Sequence, residues 1–354
     1  MPTLAEQLAK SLRAFGVRRV FGIPGGPSIP YMEALRRAGV DFVLVANEQC
    51  AAIMADVGAR LTGVPGVCHA TFGPGATNLA TGVGGALLDR SPLVAFTTEV
   101  RDADIGRKIQ MNIDHQALYR PLTKWTARLS GRNFRETIGK AFAVAGAEAP
   151  GPVHIGLPAD IDGEMLGDDS AVKTFAQKPA PPPDPAALAA AAGLLAGAKK
   201  PVLAVGLTAA RLGLHGPVRE FAGRNKIPVV LTPMAKGVIP ADHPCYAGVL
   251  FHARSDLVAP TCRQADLVVG LGYDPVEFNY EAWMPPAPLL HIDTAPADVA
   301  PECDVAGEVT GDLAAALAYL NALALPAYGW DLDAVAANKA KIFAALVPGP
   351  GAFT

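Results

Sequence analysis

The most restrictive feature of this sequence is a series of short, uninterrupted apolar runs, each closed by a turn. Val20-Phe21-Gly22-Ile23 runs into Pro24-Gly25-Gly26-Pro27. Phe42-Val43-Leu44-Val45 runs into Asn47-Glu48, and Val67-Cys68-His69-Ala70-Thr71 into Gly73-Pro74-Gly75. Leu93-Val94-Ala95-Phe96-Thr97 and Pro152-Val153-His154-Ile155 follow. Strands that alternate apolar and polar residues face water on one side. Continuous runs belong to parallel strands covered on both faces. Helical spacing fills the gaps, beginning with Leu4, Leu8, Leu12 and Phe15. Strand–helix alternation predicts an α/β fold with a doubly wound parallel sheet.

A break follows. Residues 179–185 read PAPPPDP, five prolines in seven positions, a stiff extended segment that packs poorly. Beyond an alanine-rich helix at 186–196 the pattern resumes with Val202–Gly206, Val229–Leu231, Leu267–Gly270 and Leu290–Ile292. The expectation is two doubly wound parallel-sheet domains, at residues 1–165 and 187–325. A Pro-rich linker spans 166–186. Residues 326–354, helical over 331–346, lead toward a further domain.

With 354 residues, 51% hydrophobic and 18% charged, the chain supports two large cores and is not disordered. A net charge of −3 provides no basic field, which argues against nucleic acid as a partner. No apolar run is long enough to span a membrane, and no signal peptide is read. Five scattered cysteines without a CxxC pair fit neither a disulfide framework nor a zinc site. Together these suggest a cytoplasmic protein.

Ligands of open parallel sheets sit at the carboxyl ends of the strands. Three loops are expected there: Pro24-Gly25-Gly26, Asn47-Glu48 and the segment 73–78. Their glycines either let backbone approach a ligand or merely turn the chain. Neither glycine loop matches a dinucleotide or P-loop fingerprint. Glu48 has two readings. Its apolar surroundings disfavour the charged form of a carboxyl group and suit it to proton transfer. It also fits a plain first-turn acid behind an Asn47 N-cap. His69 and His154 read as satisfied core residues, and Asp114-His115-Gln116 as organisers of a loop.

In order and spacing, Phe21–Gly26, Asn47-Glu48-Gln49, Thr71–Asn78 and Asp89-Arg90-Ser91-Pro92-Leu93 resemble the thiamine-diphosphate enzymes of the acetolactate synthase type. Ala235–Pro240, Ala265–Val269 and His291-Ile292-Asp293 are similar to their central domain. The stretch 272–278 is similar to the flavin-independent members, and residues 250–254 replace a flavin-contacting stretch. The resemblance implies a pyrimidine-binding domain followed by a Rossmann-like central domain. It implies that Glu48 hydrogen-bonds N1′ of the aminopyrimidine and promotes the imino tautomer that removes the thiazolium C2 proton. Ile23, Pro24, Gly25, Gly26, Thr71, Gly73, Pro74 and Asn78 would surround the pyrimidine, and Gln110 or Gln116 would serve the substrate side. The sequence departs from the family at Asn47, usually histidine, and at Phe72, usually serine.

The implied reaction is decarboxylation of pyruvate and two-carbon transfer to a second 2-keto acid, as in branched-chain amino acid biosynthesis. Thiamine diphosphate would be held by its pyrimidine end, with Mg²⁺ bound only through an absent diphosphate-binding domain, and without FAD. No metal ligand is assigned to this chain, which is expected to have negligible activity alone. The implied partners are a homodimer or homotetramer, or a separate diphosphate-binding subunit. The alternatives are a 2-keto acid decarboxylase or aldehyde lyase of the same family, a non-catalytic scaffold or regulatory subunit, and a generic nucleotide binder.

Overall fold

The structure, a computed structural model, describes residues 1–167, 172, 179–250, 255–274, 276–277 and 285–347. The chain divides into two units, Met1–Lys178 and Pro179–Thr354. In the first, the strands are β1 (Arg19–Ile23), β2 (Asp41–Leu44), β3 (Gly66–Ala70), β4 (Leu93–Glu99), β5 (Trp125–Arg128) and β6 (Pro152–Pro158). They alternate with α1 (Leu4–Ala14), α2 (Ile29–Arg37), α3 (Glu48–Thr62), α4 (Pro74–Leu88), α5 (His115–Tyr119) and α6 (Phe134–Gly146). The sheet is parallel throughout, in the order β2-β1-β3-β4-β6-β5.

Both faces of this sheet are covered, as the continuous apolar runs require. Val94, Phe96, Val153 and Ile155 point into one core with residues of α1, α2 and α6. Their neighbours Leu93 and Ala95 point to the other side, into a core with α3 and α4. The period of two along each strand thus feeds two apolar layers. Thr97 and His154 fall on the α4 side by the same parity. The connection reverses direction between β1 and β3, and the carboxyl ends of these strands flank the crevice that such a reversal opens.

The second unit has strands β7 (Pro201–Val205), β8 (Val229–Leu231), β9 (Tyr246–Val249), β10 (Leu267–Leu271), β11 (Leu289–Asp293) and β12 (Val305–Thr310). Its helices are α7 (Pro185–Gly197), α8 (Leu207–Arg211), α9 (His215–Asn225), α10 (Ser255–Cys262), α11 (Leu313–Ala322) and α12 (Leu332–Leu346). The parallel order is β12-β11-β10-β7-β8-β9, the six-strand dinucleotide-fold order, with its reversal between β7 and β10. The expectation of two parallel-sheet domains holds.

Two boundaries differ from the sequence reading. Residues 326–347 are not a free linker. Tyr328 is buried and donates to Leu195 O at 2.9 Å, Trp330 Nε1 donates to Pro201 O, and Val335 and Ile342 of α12 are buried in the second unit. The apolar side of α12 supplies the reason. Leu166, expected in the linker, is buried in the first core. The proline run leads directly into α7, capped by Asp184, and Pro181 O accepts the Asp312 N–H. Residues 348–354 lie outside the described part. No helix among the described residues is long and apolar enough to cross a membrane.

Candidate active site

Glu48 opens α3 directly behind β2. The Asn47 side chain caps the helix by accepting the Gln49 N–H at 2.8 Å. The first-turn reading of Glu48 is therefore correct as local structure. Glu48 is also buried, at 7% exposure. Its side chain turns toward the start of α4, where Asn78 Nδ2 donates to Oε2 at 3.1 Å. A methyl group added at Gly75 would lie 3.3 Å from Glu48 Oε1 and 3.0 Å from Thr71 Cγ2.

The β1 and β3 loops meet at the same place. A Cβ on Gly25 would overlap the Thr71 hydroxyl, so glycine is what lets the two turns touch. The backbone there has φ −116, open to any residue, so the requirement is one of space. Ser28 Oγ accepts the Gly25 N–H at 3.0 Å and bonds His69 Nε2 at 2.7 Å. Burial pushes His69 down to about 4, which leaves it a neutral core residue with a partner. Gly73 begins α4 at φ +68, a left-handed conformation that favours glycine, and Met111 O packs against its α-carbon. The structure thus gathers Gly25, Thr71, Gly73, Asn78 and Glu48 at the β1/β3 switch point. Pro24 and Gly26 border the first turn and Pro74 the second, while Ile23 ends β1.

Beside the Gly73 turn is a cavity of about 330 Å³, lined by Phe72, Glu99, Asn112, His115, Gln116 and Arg128 among others. Gln116 donates to Glu99 Oε1 at 2.7 Å, and Arg128 pairs with the other Glu99 oxygen. Burial raises the Glu99 carboxyl above its ordinary range, while Arg128 pulls it back. Gln110 is exposed in the preceding loop and is not among the lining residues. Asp114 caps α5 through the Ala117 N–H, as expected of a loop organiser. Sequence reasoning passed over Thr97, Glu99, Thr126 and Arg128. Thr97 and Glu99 carry one signal, polarity at the end of the otherwise apolar run of β4, whereas Thr126 and Arg128 lie in β5, which has no such run.

Glu99, His115 and His154 bring one ligand-type atom each to within 4.8 Å of one another. His154 has a hydroxyl on each ring nitrogen. His115 has Thr97 on Nδ1 and the Gly73 N–H on Nε2. All four nitrogens are committed, so the trio is a hydrogen-bonded cluster and not an open coordination sphere.

In the second unit, the β7/β10 switch point is filled from within. Glu277 accepts the Leu207 N–H at 2.5 Å and the Thr232 hydroxyl, beside Gly206. Burial pushes Glu277 up to about 7. Residues 251–254, expected at a flavin-contacting position, lie outside the described residues, as do Pro275 and Phe278.

Comparison with known proteins follows this division. Residues 2–118 match the N-terminal TPP binding domain of thiamine pyrophosphate enzymes, and residues 188–320 match their central domain. The chain belongs to the thiamine pyrophosphate enzymes. It is 34% identical over 317 residues to a probable acetolactate synthase large subunit of Methanocaldococcus jannaschii, covering 87% of this chain and 54% of that protein. Against the acetolactate synthase isozyme 2 large subunit of Escherichia coli the identity is 34% over 330 residues, covering 92% and 60%. Against the acetolactate synthase of Bacillus subtilis it is 32% over 313 residues, covering 86% and 55%. The chain therefore spans a little over half the length of these curated relatives. The switch-point cluster around Glu48 lies wholly inside the N-terminal match.

Proposed function

We propose that this chain is the pyrimidine-binding and central part of an acetolactate-synthase-like carboligase. The reaction is decarboxylation of pyruvate and transfer of the two-carbon unit to a second 2-keto acid. The observation that carries the reading is the buried Glu48 carboxyl, aimed at the glycine turns and held by Asn78.

The residues present fit the aminopyrimidine of thiamine diphosphate. A flat heterocycle needs backbone at close approach and a carboxyl group shielded from water. Gly25 and Gly75 leave space that a side chain would fill, and Glu48 is the shielded acid. Ile23, Pro24, Gly26, Thr71, Gly73, Pro74 and Asn78 complete the proposed cradle. When bound, the cofactor supplies the electron sink for decarboxylation, while the protein supplies orientation and electrostatics. Glu48 would hydrogen-bond the ring, and Asn78, which already donates to Oε2, would leave Oε1 free to make that bond. The cavity lined by Phe72, Gln116 and the Glu99–Arg128 pair is the proposed 2-keto acid side.

The diphosphate and its Mg²⁺ are assigned to a diphosphate-binding domain outside the two matched domains, and FAD is given no role. The proposed setting is the cytoplasm. Partner contact is supported by α3, which leaves Ile53, Met54, Val57 and Leu61 exposed on one side, an apolar stripe of the kind a second subunit covers. The partner is a second copy, in a homodimer or homotetramer, or a separate diphosphate-binding subunit.

The test is deuterium exchange at C2 of thiamine diphosphate, in a complex of this chain with a diphosphate-binding domain. Glu48→Gln is expected to abolish enzyme-promoted exchange. Unchanged exchange would reject the catalytic reading and leave a scaffold role. Product analysis with pyruvate separates acetolactate formation from release of a free aldehyde.

A further inference from the structure

A polar chain runs through the otherwise apolar layer between the first sheet, α4 and α5, and each of its bonds has one direction. It starts at the backbone. The Gly73 N–H points at His115 Nε2 at 3.2 Å, so that nitrogen accepts. A neutral imidazole then carries its proton on Nδ1, which donates to Thr97 Oγ1 at 2.8 Å. The single hydroxyl proton of Thr97 goes to His154 Nε2 at 2.7 Å. His154 is thereby also the Nδ1–H form and donates to Thr126 Oγ1 at 2.7 Å. Thr126 donates to Gln116 Oε1 at 2.8 Å, and Gln116 Nε2 to Glu99 Oε1 at 2.7 Å. Arg128 closes the chain on the second carboxylate oxygen. Every bond points from Gly73 toward Glu99, and the two ends demand the same sense independently. A backbone amide can only donate, and a carboxylate paired with Arg128 can only accept.

We propose that His115 and His154 are positioning residues that fix the cofactor-facing turn: their chain holds the Gly73 N–H, and with it the first turn of α4, where Asn78 reaches Glu48. Gly73 has no side chain of its own to anchor that turn. The same short α5 makes a second attachment. Tyr119 stacks on His154 with ring centroids 4.1 Å apart and donates to Ala76 O at 2.6 Å. The first turn of α4 is therefore gripped at both a donor and an acceptor of its backbone, and Asn78 follows directly.

The chain is not a proton relay. An amide N–H ends it at Gly73, and the Gln116 amide interrupts it before Glu99. What it requires is that both imidazoles stay neutral, since a proton on His115 Nε2 would face the Gly73 N–H head-on. Burial favours this for both rings. Arg128 adds to it at His115, with Asp114 opposing, and His115 adds to it at His154. Glu99 lies within 4.8 Å of both rings.

The consequence for catalysis rests on the proposed reading of the turn, whereas the chain itself does not, so the two are tested separately. Nitrogen NMR of the full chain without cofactor is expected to show both histidines as Nδ1–H tautomers, the minority form in water. Neither should titrate from about pH 8 to about pH 5. An Nε2–H tautomer at either ring overturns the proposal. Two substitutions then separate tether from packing. In His115→Gln the side-chain carbonyl reaches the position of Nε2 and still accepts the Gly73 N–H. In His115→Asn it reaches only the position of Nδ1. Hydrogen exchange at the Gly73 amide should quicken about tenfold or more in the Asn variant and about twofold or less in the Gln variant. Equal acceleration in both, or in neither, rejects the tether, and should both variants unfold, the wild-type tautomers decide. In the assembled complex, Glu48-dependent C2 exchange should follow the same split. Its survival in the Asn variant would overturn the positioning role. Its absence in the wild type would instead count against the carboligase reading.

Discussion

His69 on β3, His154 on β6 and His115 on α5 sit in the interior of the first unit, each with a hydroxyl on a ring nitrogen. Burial pushes His69 and His115 down to about 4 and holds His154 well below its ordinary range, with His115 adding to the effect. The unfolded chain takes up these protons below about pH 6.5 and the folded chain does not, so stability is lost as pH falls from about 6.5 to about 4. Each ring shifted to about 4 contributes about 3 kcal/mol at the acid end. Glu277, raised from 4.5 to about 7, acts in the opposite sense. Its contribution is complete at low pH and is lost as pH rises through about 7. Glu277→Gln should therefore gain about 3 kcal/mol relative to wild type on going from pH 4.5 to pH 8. Urea midpoints at the two pH values measure this difference, and an unchanged difference would mean that Glu277 is not held protonated. At this scale the sequence is only partly legible. The apolar residues around Glu48 announced its burial, and its place in the first turn of α3 behind the Asn47 cap holds as well. The chain from Gly73 to Glu99 was not legible, because its members are scattered over residues 73–154 and only strand register brings them together. Thr126 and His154 are direct partners across β5 and β6.

Among the elements, the strands read from sequence are those with apolar neighbours on both sides, together with the edge strand β2. β5, β9 and β12 escaped, and all three are sheet edges. β12 is largely exposed and β5 half-buried throughout, so neither carries the continuous apolar run that marks a central strand. β9 reads Tyr246-Ala247-Gly248-Val249, with two small residues at its centre and Gly248 at φ +130, so it lacks the run of large apolar side chains that marks the strands read from sequence. The contact between the β1 and β3 turns gives a prediction at this scale. Gly25→Ala should destabilise the first unit by about 1–3 kcal/mol through overpacking against Thr71. The double variant with Thr71→Ala should recover only part of that loss, because the Cβ of residue 71 would still lie 2.8 Å from the new methyl. Thermal or urea unfolding of the four-member cycle measures the coupling, and additive effects would mean that the turns do not share the space.

For the whole molecule, the proline run predicted two units, and the described structure has two, with the boundary at Lys178/Pro179. The tail was misread because a Pro/Gly-rich end drew attention from the apolar positions Tyr328, Val335 and Ile342, which seal the second unit. The exposed stripe on α3 leads to an assembly prediction. Ile53→Glu together with Val57→Glu should shift the protein toward monomer in sedimentation equilibrium without lowering its unfolding midpoint, since both side chains are already 46% and 42% exposed. A wild-type chain that is monomeric at every concentration would reject a second copy as the partner and leave the separate subunit.

Parallel strand order also sorts the turns of the first unit into two populations. Those leaving the strands carry Gly25, Glu48 and Gly73. Those entering them, at Gly39, Gly63 and Arg90, lie at the opposite rim of the sheet. A peptide tag or fluorophore spliced in at residue 39 or 63 should therefore be a silent passenger, reporting on folding while leaving the far rim untouched.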